Sequence, residues 1–149
     1  MRNKYDTYYT KKDDLKKEWI LVDATSQYLG RLSSQIAAIL RGKNKTTFQP
    51  SVDAGDYVIV INADKIKISG KKNVEKTYYR YTGYPGGIKS QTYAEMMEKK
   101  PENLIYMSVK RMLPKGRIGR AMICKLHIFK GDQHNHIAQK PKKFELAYK

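Results

Sequence analysis

The stretch Tyr57 to Ile61, "YVIVI", constrains the fold more tightly than any other part of the chain. A strand with one wet face alternates apolar and polar residues. An unbroken apolar run needs cover on both faces, as in a parallel sheet. "WILV" (Trp19 to Val22) is a second such run. Between them, after the polar turn "DATSQ", Leu29, Leu32, Ile36, Ile39 and Leu40 recur at three- and four-residue steps. That spacing predicts a helix ending at about Arg41, stopped by Gly42. Strand, helix and strand make a βαβ unit with a right-handed crossover. Val58 and Val60 are expected on one side of the second strand, Ile59 and Ile61 on the other, with both sides covered.

Further along, "IKIS" and "TYYRYT" read as short strands, the second at an edge. Thr92 followed by Glu95 is a capping-box signature for a short helix. Pro101 opens another helix, whose apolar face comprises Leu104, Ile105, Val109, Met112 and Leu113. Pro114 and Gly116 break it, with Met112 and Leu113 expected to be buried. "RIGRAMICKL" reads as one more helix, feeding a strand around "LHIF". The organisation is an N-terminal arm (1–18), a single α/β domain (19–131) and a basic C-terminal tail (132–149).

The 149 residues are 40% hydrophobic, enough for a core, yet carry a formal net charge of +16. Such an excess calls for a polyanionic partner, nucleic acid first. No apolar run approaches the ~20 residues of a spanning helix, so no membrane partner is expected. The N-terminus lacks the apolar centre of a secretory signal. Cys124 is the single cysteine, in keeping with a reducing cytoplasm. The cations cluster in acid-free runs. One run holds Arg41, Lys43 and Lys45, and Lys71, Lys72 and Lys76 precede a tyrosine-rich stretch. Lys110, Arg111, Lys115, Arg117, Arg120, Lys125 and Lys130 lie between Glu102 and Asp132 with no acid among them. Lys140, Lys142 and Lys143 close the tail. Basic loops broken by glycine or proline suit phosphates, because side-chain charge and backbone N–H groups converge there.

"YYRYTGYPGGIKSQTY" (Tyr78 to Tyr93) mixes five tyrosines with Arg80 and Lys89 and contains no acid. Tyrosine and arginine offer planes to unstacked bases, and glycine lets backbone approach closely. Packing on a half-buried strand competes with that role for Tyr78, Tyr79 and Tyr81. Tyr84, beside Pro85, is the candidate for contact.

Motifs for catalysis are incomplete. "GKNKTT" and "SGKKN" lack the first glycine and the Ser or Thr of a phosphate-binding loop. His134 and His136, with His127 and Cys124, could start a metal site, but paired Cys-x-x-Cys spacing is absent. Asp23, Asp53 and Asp56 read as strand-end and turn residues. No catalytic residue, metal, cofactor or small-molecule substrate is expected.

The motifs "VDAT…LGRL", "LRGK", "DAGDYVIVINADKI", "SGKK", "TGYPGGIK", "MLPKGRIGRAM" and "HNHIAQKP", in this order, closely resemble the bacterial form of the L13 family of large-subunit ribosomal proteins. The resemblance covers Trp19 to Pro141. It implies a three-layer α/β/α fold around a small, mainly parallel central sheet, with basic loop and terminal extensions. It also implies a structural, non-enzymatic protein of the cytoplasmic ribosome that binds large-subunit rRNA and supports early subunit assembly. Neighbouring large-subunit proteins are implied partners; no homo-oligomer is. By their place in the motifs, Arg31, Arg41, Lys43, Lys115, Arg120, His134 and His136 are implied rRNA contacts. The charge runs and tyrosine stretch add Lys45, Lys71, Lys72, Arg80, Tyr84, Lys89, Lys110, Arg111, Arg117 and Lys140. Three positions depart from the family pattern: Arg111 and Ser26 stand where glycine is frequent, and Asn44 where histidine is. An α/β enzyme acting on nucleic acid or nucleotide, or a free regulatory RNA binder, are the alternatives.

Overall fold

The computed structural model describes residues 9–11 and 14–144; the rest of the expected arm (1–8, 12 and 13) and the tail end (145–149) lie outside them. The predicted βαβ unit is present. Strand β1 (Trp19–Asp23) pairs in parallel with β2 (Tyr57–Ile61), and helix α1 (Leu29–Arg41) connects them. Gly42 ends α1 in the left-handed region (φ 78), a conformation that favours glycine, and its N–H caps the last carbonyls. The sheet has four strands in the order β5-β2-β1-β6, all parallel. β5 is Leu126–Ile128, and β6 is Lys142–Lys143, within the segment read from sequence as a tail.

Strand order explains the layering. β1 to β2 to β5 steps always toward the same edge, so right-handed crossovers put the connecting helices on one face. There α1 packs on α4 (Pro101–Met112) and α5 (Arg117–Ile123), and all three share one core with Ile20, Val22, Val58, Val60 and Leu126. From β5 the chain must step back across the sheet to reach β6. It does so over the other face, where His136 lies against Trp19 and His127. Ile59 belongs to that second face and is 0% exposed, as expected, whereas Ile61 is half-buried.

Away from the sheet, α2 (Lys72–Glu75) precedes a hairpin of β3 (Thr77–Tyr81) and β4 (Ile88–Thr92). Helix α3 (Tyr93–Lys99) follows, its Glu95 N–H donating to the Thr92 hydroxyl as the capping box requires. Two expectations fail. "IKIS" makes only one bridge, Tyr28 to Lys67, because Leu29 turns at once into α1 and the ladder cannot continue. Met112 is exposed although Leu113 is buried, since α4 ends at Met112 and its last turn rotates that side chain outward.

Two inward-turned lysines, one buried and one half-buried, brace the junction of α1 and β2. Lys125 is 4% exposed, and its ammonium donates to Asp53 (2.6 Å), the Gly55 carbonyl (2.8 Å) and the Leu40 carbonyl (3.2 Å). Burial lowers its pKa, and the Asp53 carboxylate opposes that shift. Lys45 donates to buried Asp56 and to the Lys16 carbonyl, while Asp56 also accepts from the Glu18 N–H. Asp53 and Asp56 are therefore ion-pair partners as well as turn residues.

Candidate nucleic-acid interface

The apolar stripe of α1 points into the core, so the positions between fall outward: Arg31 and Ser34 are exposed, Ala38 and Arg41 half-buried. α4 crosses this helix and ends beside it with Lys110, Arg111 and Met112 exposed. The surface they form is indented by three clefts, none lined by an acidic residue. The largest, about 490 Å³, has Arg31, Lys72, Lys76 and Ser108 on its walls. It opens at the start of α1, which has neither a side-chain cap nor an acid in its first turn. The positive end of the helix dipole is left to the cleft. On the other side of Met112, about 160 Å³ is bounded by Ser34, Arg41 and Lys43. The third cleft, about 310 Å³ between α4 and α5, carries Lys110, Lys115 and Arg120. Gly119 lets α5 close on the Pro114 turn, for a Cβ there would stand 1.7 Å from the Pro114 carbonyl oxygen. Aromatic planes back two of the arginines: Tyr28 lies 5.6 Å from the Arg31 guanidinium, and Phe48 lies 5.7 Å from that of Arg41.

The remaining candidates lie elsewhere. Arg80 and Lys89 are direct cross-strand partners in the hairpin, a like-charge pairing that disfavours the bare strand pair. Tyr84 is 76% exposed at its tip. Tyr79, Tyr81 and Ile88 are also exposed, whereas Tyr78 packs into the core. Exposed Lys71 stands at the start of α2, and exposed Arg117 at the start of α5. Lys140 is exposed on the returning tail, beside the second face of the sheet. There Trp19 stacks on Tyr57 (4.4 Å) and His127 (5.6 Å), and His136 sits 5.0 Å from Trp19 and 4.5 Å from His127. His134 accepts from the His136 N–H at 3.2 Å. Burial, then the nearby His136, lowers the pKa of His127. Among the described residues no group of three or more His, Cys, Asp or Glu could hold a metal ion.

Among the predicted lysine and arginine contacts, Lys45 turns inward, since its charge is matched by buried Asp56. Tyr28, Ser69 and Ser108 were absent from the sequence-based set but line the largest cleft. Tyr28 stands three residues before Arg31, a helical neighbour spacing that could have marked it.

The family model "Ribosomal protein L13" matches residues 17–135. The chain belongs to the ribosomal protein L13 family. Three relatives, each named large ribosomal subunit protein uL13, show how far the likeness extends. That of Lachnoclostridium phytofermentans is 54% identical over 134 residues, covering 90% of this chain and 93% of the relative. Those of Listeria innocua and Halorhodospira halophila are 51% and 52% identical over 140 residues, covering 94% of this chain and 97% and 99% of theirs. Membership of the L13 family carries a structural, non-enzymatic role. Two departures from its pattern now have a physical reading. Ser26 sits at φ 61, a left-handed conformation costing a non-glycine residue ~1–2 kcal/mol. Arg111 is exposed in the last turn of α4, where the dipole favours a cation.

Proposed function

We propose that this chain is a structural constituent of the large ribosomal subunit in the cytoplasm. It binds large-subunit rRNA through the acid-free surface of α1, α4 and α5, supplemented by the hairpin. The observation that carries the reading is the set of three clefts, all lined by cations and none by an acid. Phosphates of a folded RNA match such a surface in charge, and tyrosines beside it suit unpaired bases. A protein whose core closes on its own contacts offers a preformed platform, which suits an early role in assembly. The apolar Tyr79, Tyr81 and Ile88 of the hairpin suit contact with neighbouring large-subunit proteins.

Replacing Lys115, Arg117 and Arg120 with Ala tests the reading. All three are exposed, so the thermal midpoint stays within the range of ordinary surface changes, about 0.5 kcal/mol. Affinity for large-subunit rRNA falls, and the slope of log affinity against log salt shrinks by roughly 0.7 to 0.9 per lost phosphate contact. Tyr84→Ala weakens binding without changing the slope, because stacking releases no counterions. A triple variant keeping both affinity and slope would sink the proposal.

A further inference from the structure

The cleft at the start of α1 shares walls with a second one. Both are lined by Tyr28 and Ile68. The second is about 390 Å³, and each falls within the ~300–1,000 Å³ of small-ligand sites. Besides Tyr28 and Ile68, its walls are Ile66, Met97 and the exposed Lys67, with the neutral polar side chains of Asn73 and Tyr93. Tyr93 is 2% exposed, yet its hydroxyl has no hydrogen-bond partner among the described residues. A buried hydroxyl left so is destabilising, and a ligand supplying a partner would relieve that cost. Burial, reinforced by nearby Tyr78, raises the Tyr93 pKa, so the group is a neutral phenol, able to donate and accept.

The groove thus gathers Arg31, Lys72 and Lys76 at a helix N-terminus on one side, and on the other a single lysine, Lys67, beside a phenol, an amide and the apolar Ile66, Ile68 and Met97. A nucleotide has the same division, with an anionic phosphate joined to a flat base whose edge needs donors and acceptors. An apolar peptide would leave Lys72 and Lys76 unmatched, and a stacked duplex presents no base to enter. We infer that this groove receives one extruded, unpaired nucleotide of the bound RNA. Its phosphate lies at the start of α1 with Lys72 and Lys76, and its base lies against Met97 and the Tyr93 hydroxyl. The inference rests on the rRNA-binding reading and deepens it. Unstacking a base is unfavourable, so the nucleotide comes from a loop or bulge where that cost is least. With no glycine-rich phosphate turn in the groove, a free mononucleotide is held only weakly.

The test uses the whole chain and deproteinised large-subunit rRNA, with equilibrium binding and chemical probing of base edges. One unpaired nucleotide should lose base-edge reactivity in the wild-type complex. Met97→Trp, which fills the base half, should restore that reactivity and weaken binding roughly tenfold, with the salt slope unchanged. Lys72→Ala with Lys76→Ala should instead reduce the slope. If Met97→Trp does not melt cooperatively, Tyr93→Phe decides, since it keeps the ring and removes only the hydroxyl; reactivity should return there too. Should wild-type rRNA binding persist while the folded variants match it in affinity and footprint, the groove is empty and the inference falls alone. If the wild-type chain does not bind this RNA, the rRNA reading falls and takes the inference with it.

Discussion

Strands β1 and β2 of the central sheet and β3 and β4 of the hairpin are each five residues long, yet opposite forces shape them. In β2, Val58, Ile59 and Val60 are all 0% exposed, and each is covered by the protein itself. In β4, four of five residues are exposed and the fifth is half-buried. The hairpin sets Arg80 opposite Lys89 and shows solvent Tyr79, Tyr81, Tyr84 and Ile88. Two-stranded hairpins are marginal in water without a packed face. This one is anchored at its base by Tyr78 and by the Tyr93 N–H donating to the Lys76 carbonyl. The sheet holds the molecule together, and the hairpin displays what a partner would use. Stability and binding should therefore separate on mutation.

The sharpest way to break that contrast is Ile59→Asp. A carboxylate at this 0% exposed position has as cross-strand neighbours only Leu21 and His127, whose pKa burial lowers. An unpaired buried charge costs several kcal/mol, comparable to a domain's whole stability. The expected outcome is loss of the cooperative melting transition, whereas the same change at exposed Ile88 leaves it in place. A soluble, cooperatively melting Ile59→Asp protein would show that the second face is open.

A finer test compares Lys43 and Lys45, two residues apart in one basic loop. Lys43→Ala removes an exposed cation and should weaken rRNA binding without moving the melting midpoint. Lys45→Ala leaves buried Asp56, among the described residues, with the Glu18 N–H as its hydrogen-bond donor, and should destabilise by about 2 kcal/mol with the salt slope unchanged. Equal stability in the two variants, by thermal melting, would mean the Lys45–Asp56 pair is not structural.

That pair also shows where sequence reading stops. The elements that announce themselves are those whose own residues carry the cause. These are the α1 periodicity with Gly42 behind it, the apolar runs of β1 and β2, the Thr92 cap and Pro101 at the start of α4. β4 (IKSQT) and β6 (Lys142–Lys143) form because a neighbour offers backbone partners, which leaves no pattern in their side chains. The acid-free runs mark the cationic surface, but not which lysines turn inward. Lys45 and Lys125 find their carboxylates 11 and 72 residues away, a proximity only the fold creates. For the same reason the sequence groups His134 and His136 with the other cations, while the fold places them on the opposite face of the sheet.

The smallest effect expected is also a matter of faces. Burial and neighbouring His136 hold the His127 pKa below its ordinary value of 6.5. The unfolded chain binds a proton there that the folded chain refuses, so the stability linked to His127 is complete above that value. It declines as the pH falls through it. Glu18 and Asp23 do not interfere. The Lys142 hydrogen bond lowers Glu18; burial raises Asp23, but the Thr25 and Asn62 hydrogen bonds more than offset it. Both carboxyls therefore titrate below their ordinary 4.5 and 3.8. Between about pH 7.5 and 5.5, on either side of the imidazole reference value, the melting midpoint should drop modestly. The chain's single tryptophan, Trp19, lies against both imidazoles, so its emission should change over the same range. His127→Phe keeps a ring in the stack and removes that titration, so it should flatten the pH dependence of the midpoint. If the wild-type midpoint and Trp19 emission were already flat across this range, the returning chain would be held to the second face by packing that His127 protonation does not reach.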